Sequence, residues 1–190
     1  MIRALDRDVR VSLHAHLKNE NVEDAVVINE LDLQRKDARI DVAVVTHVLH
    51  GYEIKSEADK TDRLPLQVVM YGKVMDYLNV VVDSTHLKAV LRIVPKYWGV
   101  YVWTRELGAQ KLRDSKLNID TDKSALAQML WREAAVQLLI EAGVTGKDLT
   151  KAKPVLWEAI AAICPHQKIH AAVIHQLRTR HRASAKQKVA

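Results

Sequence analysis

Two neighbouring apolar runs, A-R-I-D-V-A-V-V (38–45) and V-L-H-G-Y-E-I-K (48–55), restrict this chain more than any other feature. Both read as strands, and both carry charge where burial is expected. In a strand, residues two apart share a face, so Glu53 and Lys55 project together while Tyr52 and Ile54 point the opposite way. Asp41 interrupts a run otherwise suited to a core, and a buried carboxylate is rare unless it is paired or bound to a metal. If the two runs pair, two carboxylates and an amine rise on one edge of an apolar sheet. A divalent cation is the natural compensating partner.

The flanking sequence builds a sheet around these runs. Residues 25–33 form a further strand carrying Glu30 and Asp32, residues 34–37 a polar turn, and the three strands a meander. Before them, Val9, Leu13 and Leu17 predict an amphipathic helix over 6–17, with His14 and His16 solvated. After them, Thr61 or Asp62 caps a helix with Pro65 in its first turn and Leu64, Val68, Met75 and Leu78 as its buried stripe. Gln67 and Tyr71, four apart, share a neighbouring face of that helix. Residues 79–83 (N-V-V-V-D) make a strand covered on both sides, Ser84 or Thr85 caps a brief helix through Val94, and the last strand covers 96–104. This order is that of an α/β sandwich with a mixed sheet.

From Arg105 the character changes. Residues 105–122 read as a polar loop with room for a hairpin. A helix over 122–142 follows, with Leu126, Met129, Leu130 and Leu138 inward and Gly143 as its stop. Two more helices cover 154–163 and 167–182, the latter placing Arg178 and Arg182 on a side away from Ile169, Val173 and Leu177. Helices this short need tertiary packing, so the reading is a core over 1–104, a docked helical lobe over 105–182, and a disordered basic tail over 183–190.

With 190 residues, 48% of them hydrophobic, the chain can bury a substantial core. It has no run of roughly 18 apolar residues and no apolar leader, so a cytoplasmic protein without a membrane partner is expected. A single cysteine, Cys164, excludes an internal disulfide and a cysteine zinc cluster. The net charge is +6, and no acidic residue follows Glu158, while Lys168, Arg178, Arg180, Arg182, Lys186 and Lys188 do. The excess is therefore C-terminal, and a local basic segment favours a polyanion through counterion release.

The spacing D-x11-E-x-K, followed by Q-x-x-x-Y, resembles the PD-(D/E)XK nuclease superfamily, and the Gln67/Tyr71 pair resembles its RecB-type branch. The wider string E-I-K-S, then R-L, then Q-V-x-x-Y is similar to a group of short bacterial and phage proteins in that superfamily. The resemblance implies a restriction-endonuclease-like sandwich and metal-dependent hydrolysis of DNA. It places magnesium, with manganese as a substitute, on Asp41, Glu53 and the backbone carbonyl of Ile54. Lys55 would orient or activate the attacking water, and Glu30 would add a carboxylate, with Asp32 competing for that part. Gln67 and Tyr71 would contact DNA or brace the metal site. Arg63 and Ser56 match the narrower group, and Arg178 and Arg182 would contact phosphates. The residue before Asp41 is Ile40 rather than proline, at a position where the superfamily varies.

A homodimer suits the cutting of two strands. The main alternative is a non-catalytic nucleic-acid-binding or regulatory protein that keeps the fold. His166, His170 and His175 do not read as a metal site, because His166 falls outside the predicted helix and no clear third ligand accompanies it. Trp98, Trp103, Trp131 and Trp157 read as core residues rather than a base-stacking platform.

Overall fold

The computed structural model describes residues 6–19, 24–34 and 37–187. Helix α1 (Asp6–Asn19) precedes an antiparallel meander of β1 (Val26–Leu33), β2 (Ala38–Val45) and β3 (Leu49–Lys55). Helix α2 (Leu64–Gly72) leads to β4 (Tyr77–Asp83), and α3 (Leu87–Ile93) to β5 (Gly99–Thr104), both strands joining in parallel. An antiparallel β6 (Gly108–Arg113) completes one six-stranded mixed sheet in the order β1-β2-β3-β4-β5-β6. The fold is α/β.

The two faces of the sheet bury different layers. On one, Val9, Leu13 and Leu17 of α1 pack on Val42, Val44, Tyr52, Ile54 and Tyr101. Leu13 is fully buried, and its truncation to alanine would cost about 2–5 kcal/mol. On the other, α2 and α3 share one continuous apolar cluster with the helices that follow. These are α4 (Lys123–Ala127), α5 (Arg132–Glu141), α6 (Lys153–Ile163) and α7 (His166–Gln187), with a 3-10 turn at Gly146–Thr150. Leu126, Leu139, Ile169 and Val173 thus belong to the same core as Ile28, Leu33 and Leu78. Gly51 is required where β3 crosses this layer, because a Cβ there would collide with Ile40 and press on Met75 and Leu78.

Several boundaries differ from the sequence reading. The helix after Pro65 stops at Gly72, so Met75 is buried in the connection and Leu78 in β4. The polar stretch with room for a hairpin does form one, as β6 pairs back on β5, and Ala109 is the only buried residue of β6. The helix expected over 122–142 is two helices: the chain turns extended at Trp131 (φ −77, ψ 167) before α5 begins. Asp122 does cap, its side chain accepting from the Ala125 amide at 2.7 Å. Gly143, at φ +87, follows α5 in the left-handed conformation suited to a helix stop. His166 opens α7 instead of preceding it, and α7 continues to Gln187, into the segment expected to be disordered; residues 188–190 lie outside the described ones. None of the described helices is long and apolar enough to cross a membrane.

Candidate functional site

The sheet opens on both sides of Asp41. Pairing between β2 and β3 runs from Val45↔Leu49 to Val42↔Tyr52 and does not extend to Asp41 and Glu53. Beyond that point the Asp41 carboxylate replaces the missing backbone acceptor, taking the Ile54 N–H on Oδ2 at 2.7 Å. Toward β1, the register steps from Asn29↔Val42 to Leu31↔Ile40, and Glu30 between them has φ +54. A left-handed non-glycine residue inside a strand is costly, and such backbone is held at sites the surroundings over-determine. The Asp41 carbonyl accepts from Arg10 Nη1 at 2.7 Å. Backbone that would otherwise close a ladder is freed, and side chains fill the gap.

On the α2 face, Glu53 is the hub. Its side chain is buried, and Oε1 receives Lys55 Nζ and Gln67 Nε2, each at 2.6 Å. Tyr71 Oη lies 2.9 Å from Glu53 Oε2 and 2.6 Å from the Arg39 carbonyl, accepting from Gln67 Nε2 at 3.0 Å. The single phenolic proton is therefore shared between two acceptors in reach. Burial first, and then the Glu53 charge, push the Tyr71 phenol well above its ordinary range, so it stays protonated. The i, i+4 spacing of Gln67 and Tyr71 delivers both to one carboxylate because that helix face looks onto the end of β3. Gln67 Oε1 is itself buried without a hydrogen-bond donor, an open acceptor beside the cluster.

Asp41 has less compensation. Burial, then repulsion from Glu53, raise its carboxyl to about 7, against the opposing pull of the Ile54 amide and Arg10. Arg10 Nη2 lies 3.5 Å from Asp41 Oδ1 and donates to Glu30 Oε1 at 2.7 Å, while Nε donates to Asp6 at 3.0 Å. Arg10 is a site residue that the sequence reading missed. It sits on α1 between Val9 and Leu13, and only the docking of that helix brings it to Asp41. Glu30 reaches the constellation through this arginine, whereas Asp32 turns to Arg39 at 2.8 Å.

The remaining candidates lie elsewhere. Ser56 is buried and donates to Asp59 at 2.6 Å, which shapes the turn after β3. Arg63 is the exposed residue preceding α2 and makes no side-chain cap. Arg178 donates to the Thr46 carbonyl at 2.9 Å, and Arg182 to Asp24 Oδ1 at 2.8 Å, so both fasten α7 to the chain just after β2 and just before β1. The histidines are occupied too: His166 pairs with Thr121, and His170 with Asp76, at 2.8 Å each. Half-buried His14 contacts Asn29 at 2.9 Å, and half-buried His16 packs edge-on against Tyr101, so neither is simply solvated. Trp98, Trp103 and Trp157 are core residues, but Trp131 is 37% exposed.

Among the described residues no three His, Cys, Asp or Glu side chains form a ready cation cage. Asp41 and Glu53, coupled electrostatically across the opened strands, are the pair that suits a hard cation. Magnesium commonly takes one or two carboxylates and keeps several waters, and the open Gln67 acceptor is suited to a hydrogen bond from such water. The donor set therefore fits.

Compared with protein families, residues 4–189 match the model described as bacteriophage P4 protein cII. The chain belongs to that family. No curated protein sequence matches this cII-family chain. Among solved structures it is similar to the SPO1766 protein of unknown function from Silicibacter pomeroyi, with 18% identity and a TM-score of 0.47 over 62% of this chain and 75% of that one.

Proposed function

We propose that this cII-family chain is a metal-dependent nuclease that hydrolyses DNA phosphodiester bonds on a restriction-endonuclease-like sheet. The observation that carries the reading is the convergence of Lys55, Gln67 and Tyr71 on Glu53, next to an Asp41 held at the point where β2 and β3 part. Asp41, Glu53 and the Ile54 carbonyl would hold magnesium or manganese, which when bound supplies Lewis acidity and a more acidic water.

The chain's own groups have separable roles. Lys55 is held at the site by Glu53 and offers a positive charge, with N–H donors, to an oxygen gaining negative charge. Gln67 fixes the carboxylate and leaves an acceptor for a water proton. Tyr71, kept protonated, ties Glu53 to the β2 backbone at Arg39, so the two strands hold their separation. Arg10 braces Asp41 from the opposite face and adds charge near the scissile phosphate.

The test is nicking and linearisation of supercoiled plasmid with magnesium, manganese or chelator. Metal-dependent cutting by wild type, lost by at least 100-fold in both Asp41→Ala and Lys55→Ala, is the expected result, in line with the loss of charge stabilisation at a transition state. Undiminished cutting by Lys55→Ala would overturn the mechanism. A second reading, a nucleic-acid-binding protein that does not cut, is favoured by one observation. Lys55 and Arg10 already partner Glu53 and Asp41, so the chain itself compensates both carboxylates in part.

A further inference from the structure

Beside the site lies a cleft of about 690 Å³ between the outer edge of β1 and the helical lobe. Its size falls in the roughly 300–1,000 Å³ range of ligand pockets. Its two walls differ in chemistry. On the β1 side stand Glu30 and Asp32, the first ion-paired with Arg10 and the second with Arg39. On the lobe side stand Trp131, Trp157, Lys153 and Arg180. Among the described residues no carboxylate pairs with Lys153 or Arg180. Instead the Arg180 guanidinium lies over the Trp131 ring, 3.7 Å from its centroid, and Lys153 Nζ is 5.4 Å from that of Trp157.

The aromatic wall is hydrogen-bonded into place. Buried Gln176 accepts from the Trp131 amide at 2.7 Å and donates to the Met129 carbonyl at 3.0 Å, while Trp157 Nε1 donates to the Leu130 carbonyl at 2.9 Å. The corner between α4 and α5 is thus pinned at three backbone groups, and it presents a large aromatic surface that is 37% exposed under a cation. An aromatic face beside unpaired cations is the combination that stacks a base and holds its phosphate, without regard to sequence. A duplex keeps its bases stacked inside and offers such a platform only its backbone. Glu30 lines the cleft and also bonds Arg10 at the Asp41 gap, so a strand in the cleft leads to the candidate site.

We infer that this cleft binds unpaired nucleotides, with a base stacked at Trp131 in place of or alongside Arg180 and phosphates on Arg180 and Lys153, and so selects single-stranded nucleic acid for the site. This rests on the nuclease reading only for what happens after binding. The measurement is fluorescence anisotropy of labelled 15-nucleotide deoxythymidine and uridine oligomers and a blunt DNA duplex, with the full chain in chelator. Cleavage is then suppressed and binding is read alone. Single strands are expected to bind at least tenfold tighter than duplex, and the two oligomers decide the preferred sugar. Trp131→Ala should weaken single-strand binding by about five- to 100-fold, in line with the loss of one stacked base, and Trp131→Phe by less. Arg180→Ala, at an exposed position, should reduce the slope of log affinity against log salt by roughly 0.7.

Equal binding of duplex and single strand overturns the inference. So does wild-type single-strand affinity in Trp131→Ala and Arg180→Ala, both checked for native circular dichroism. The two readings fail separately. Binding that depends on Trp131, with no metal-dependent cutting of any of the three nucleic acids, would keep the cleft and remove the nuclease. Cutting that needs Asp41 but is indifferent to Trp131 and Arg180 would do the reverse.

Discussion

Glu53 and Asp41 are carboxylates on adjacent strands, yet they are stabilised by different means. Glu53 is surrounded: an ammonium, an amide and a phenol address its two oxygens, all from its own strand and from α2. Asp41 faces a sheet that has come apart, with one backbone amide at 2.7 Å and an arginine at 3.5 Å, and its carboxyl is raised to about 7. A carboxylate met by several donors contributes to the fold and is held in place, with one lone-pair site left on Oε2. An undersatisfied one costs stability when ionised and is available to a ligand.

The contrast predicts that the two positions respond oppositely to losing their charge. Glu53→Gln leaves the buried Lys55 ammonium without its counter-charge, and urea unfolding should show a loss of about 3–5 kcal/mol. A loss under 1 kcal/mol would mean that the hub is not holding the strands. Tyr71→Phe removes the phenolic link between Glu53 and Arg39 and should cost about 1–3 kcal/mol by the same measurement.

Asp41→Asn should go the other way. Because its folded pKa is raised above the ordinary 3.8, the native state binds the proton more tightly than the unfolded chain does. Asp41 therefore supports folding most at low pH and loses that contribution as pH rises from about 4 to about 7. Asp41→Asn should flatten this part of the stability–pH curve and raise stability at pH 8, the direction set by a folded value of about 7 against the ordinary 3.8. Magnesium should raise the wild-type melting temperature at pH 8 and leave that of the variant unchanged, since a ligand stabilises only the state that binds it. The smallest effect is expected at Arg182→Ala, which breaks an exposed pair with Asp24 and should cost at most about 1 kcal/mol.

These regions also differ in how legible they were. The two halves of the Glu53 hub could be read directly, because strand alternation fixes Glu53 with Lys55 and helical spacing fixes Gln67 with Tyr71, but that the second pair braces the first was implied only by the family resemblance. The span of β2 was evident too, from an apolar run bounded by polar turns. What failed depends on contacts remote in sequence. Arg10 looks like any charged helix residue until α1 packs across the sheet. Strand β6 (G-A-Q-K-L-R) buries one small side chain and owes its place to pairing with β5, which leaves no hydrophobic pattern. The break at Trp131 falls within continuous apolar spacing and has no glycine or proline to announce it. Basic residues after 158 were visible as a group, but which of them latch α7 and which face the cleft is decided by its rotation against β1.

The latch at Arg178 has a consequence for synthesis. Its guanidinium bonds the Thr46 carbonyl, whose residue leaves the ribosome 132 positions earlier. At about 5–20 residues per second that interval is roughly 7–26 s, during which β1 and β2 exist without the helix that packs on them. Over this period an apolar sheet face and the outer edge of β1 are open to other nascent chains. Slowing translation between β3 and α7 should therefore lower the yield of native protein more than slowing it anywhere before β1.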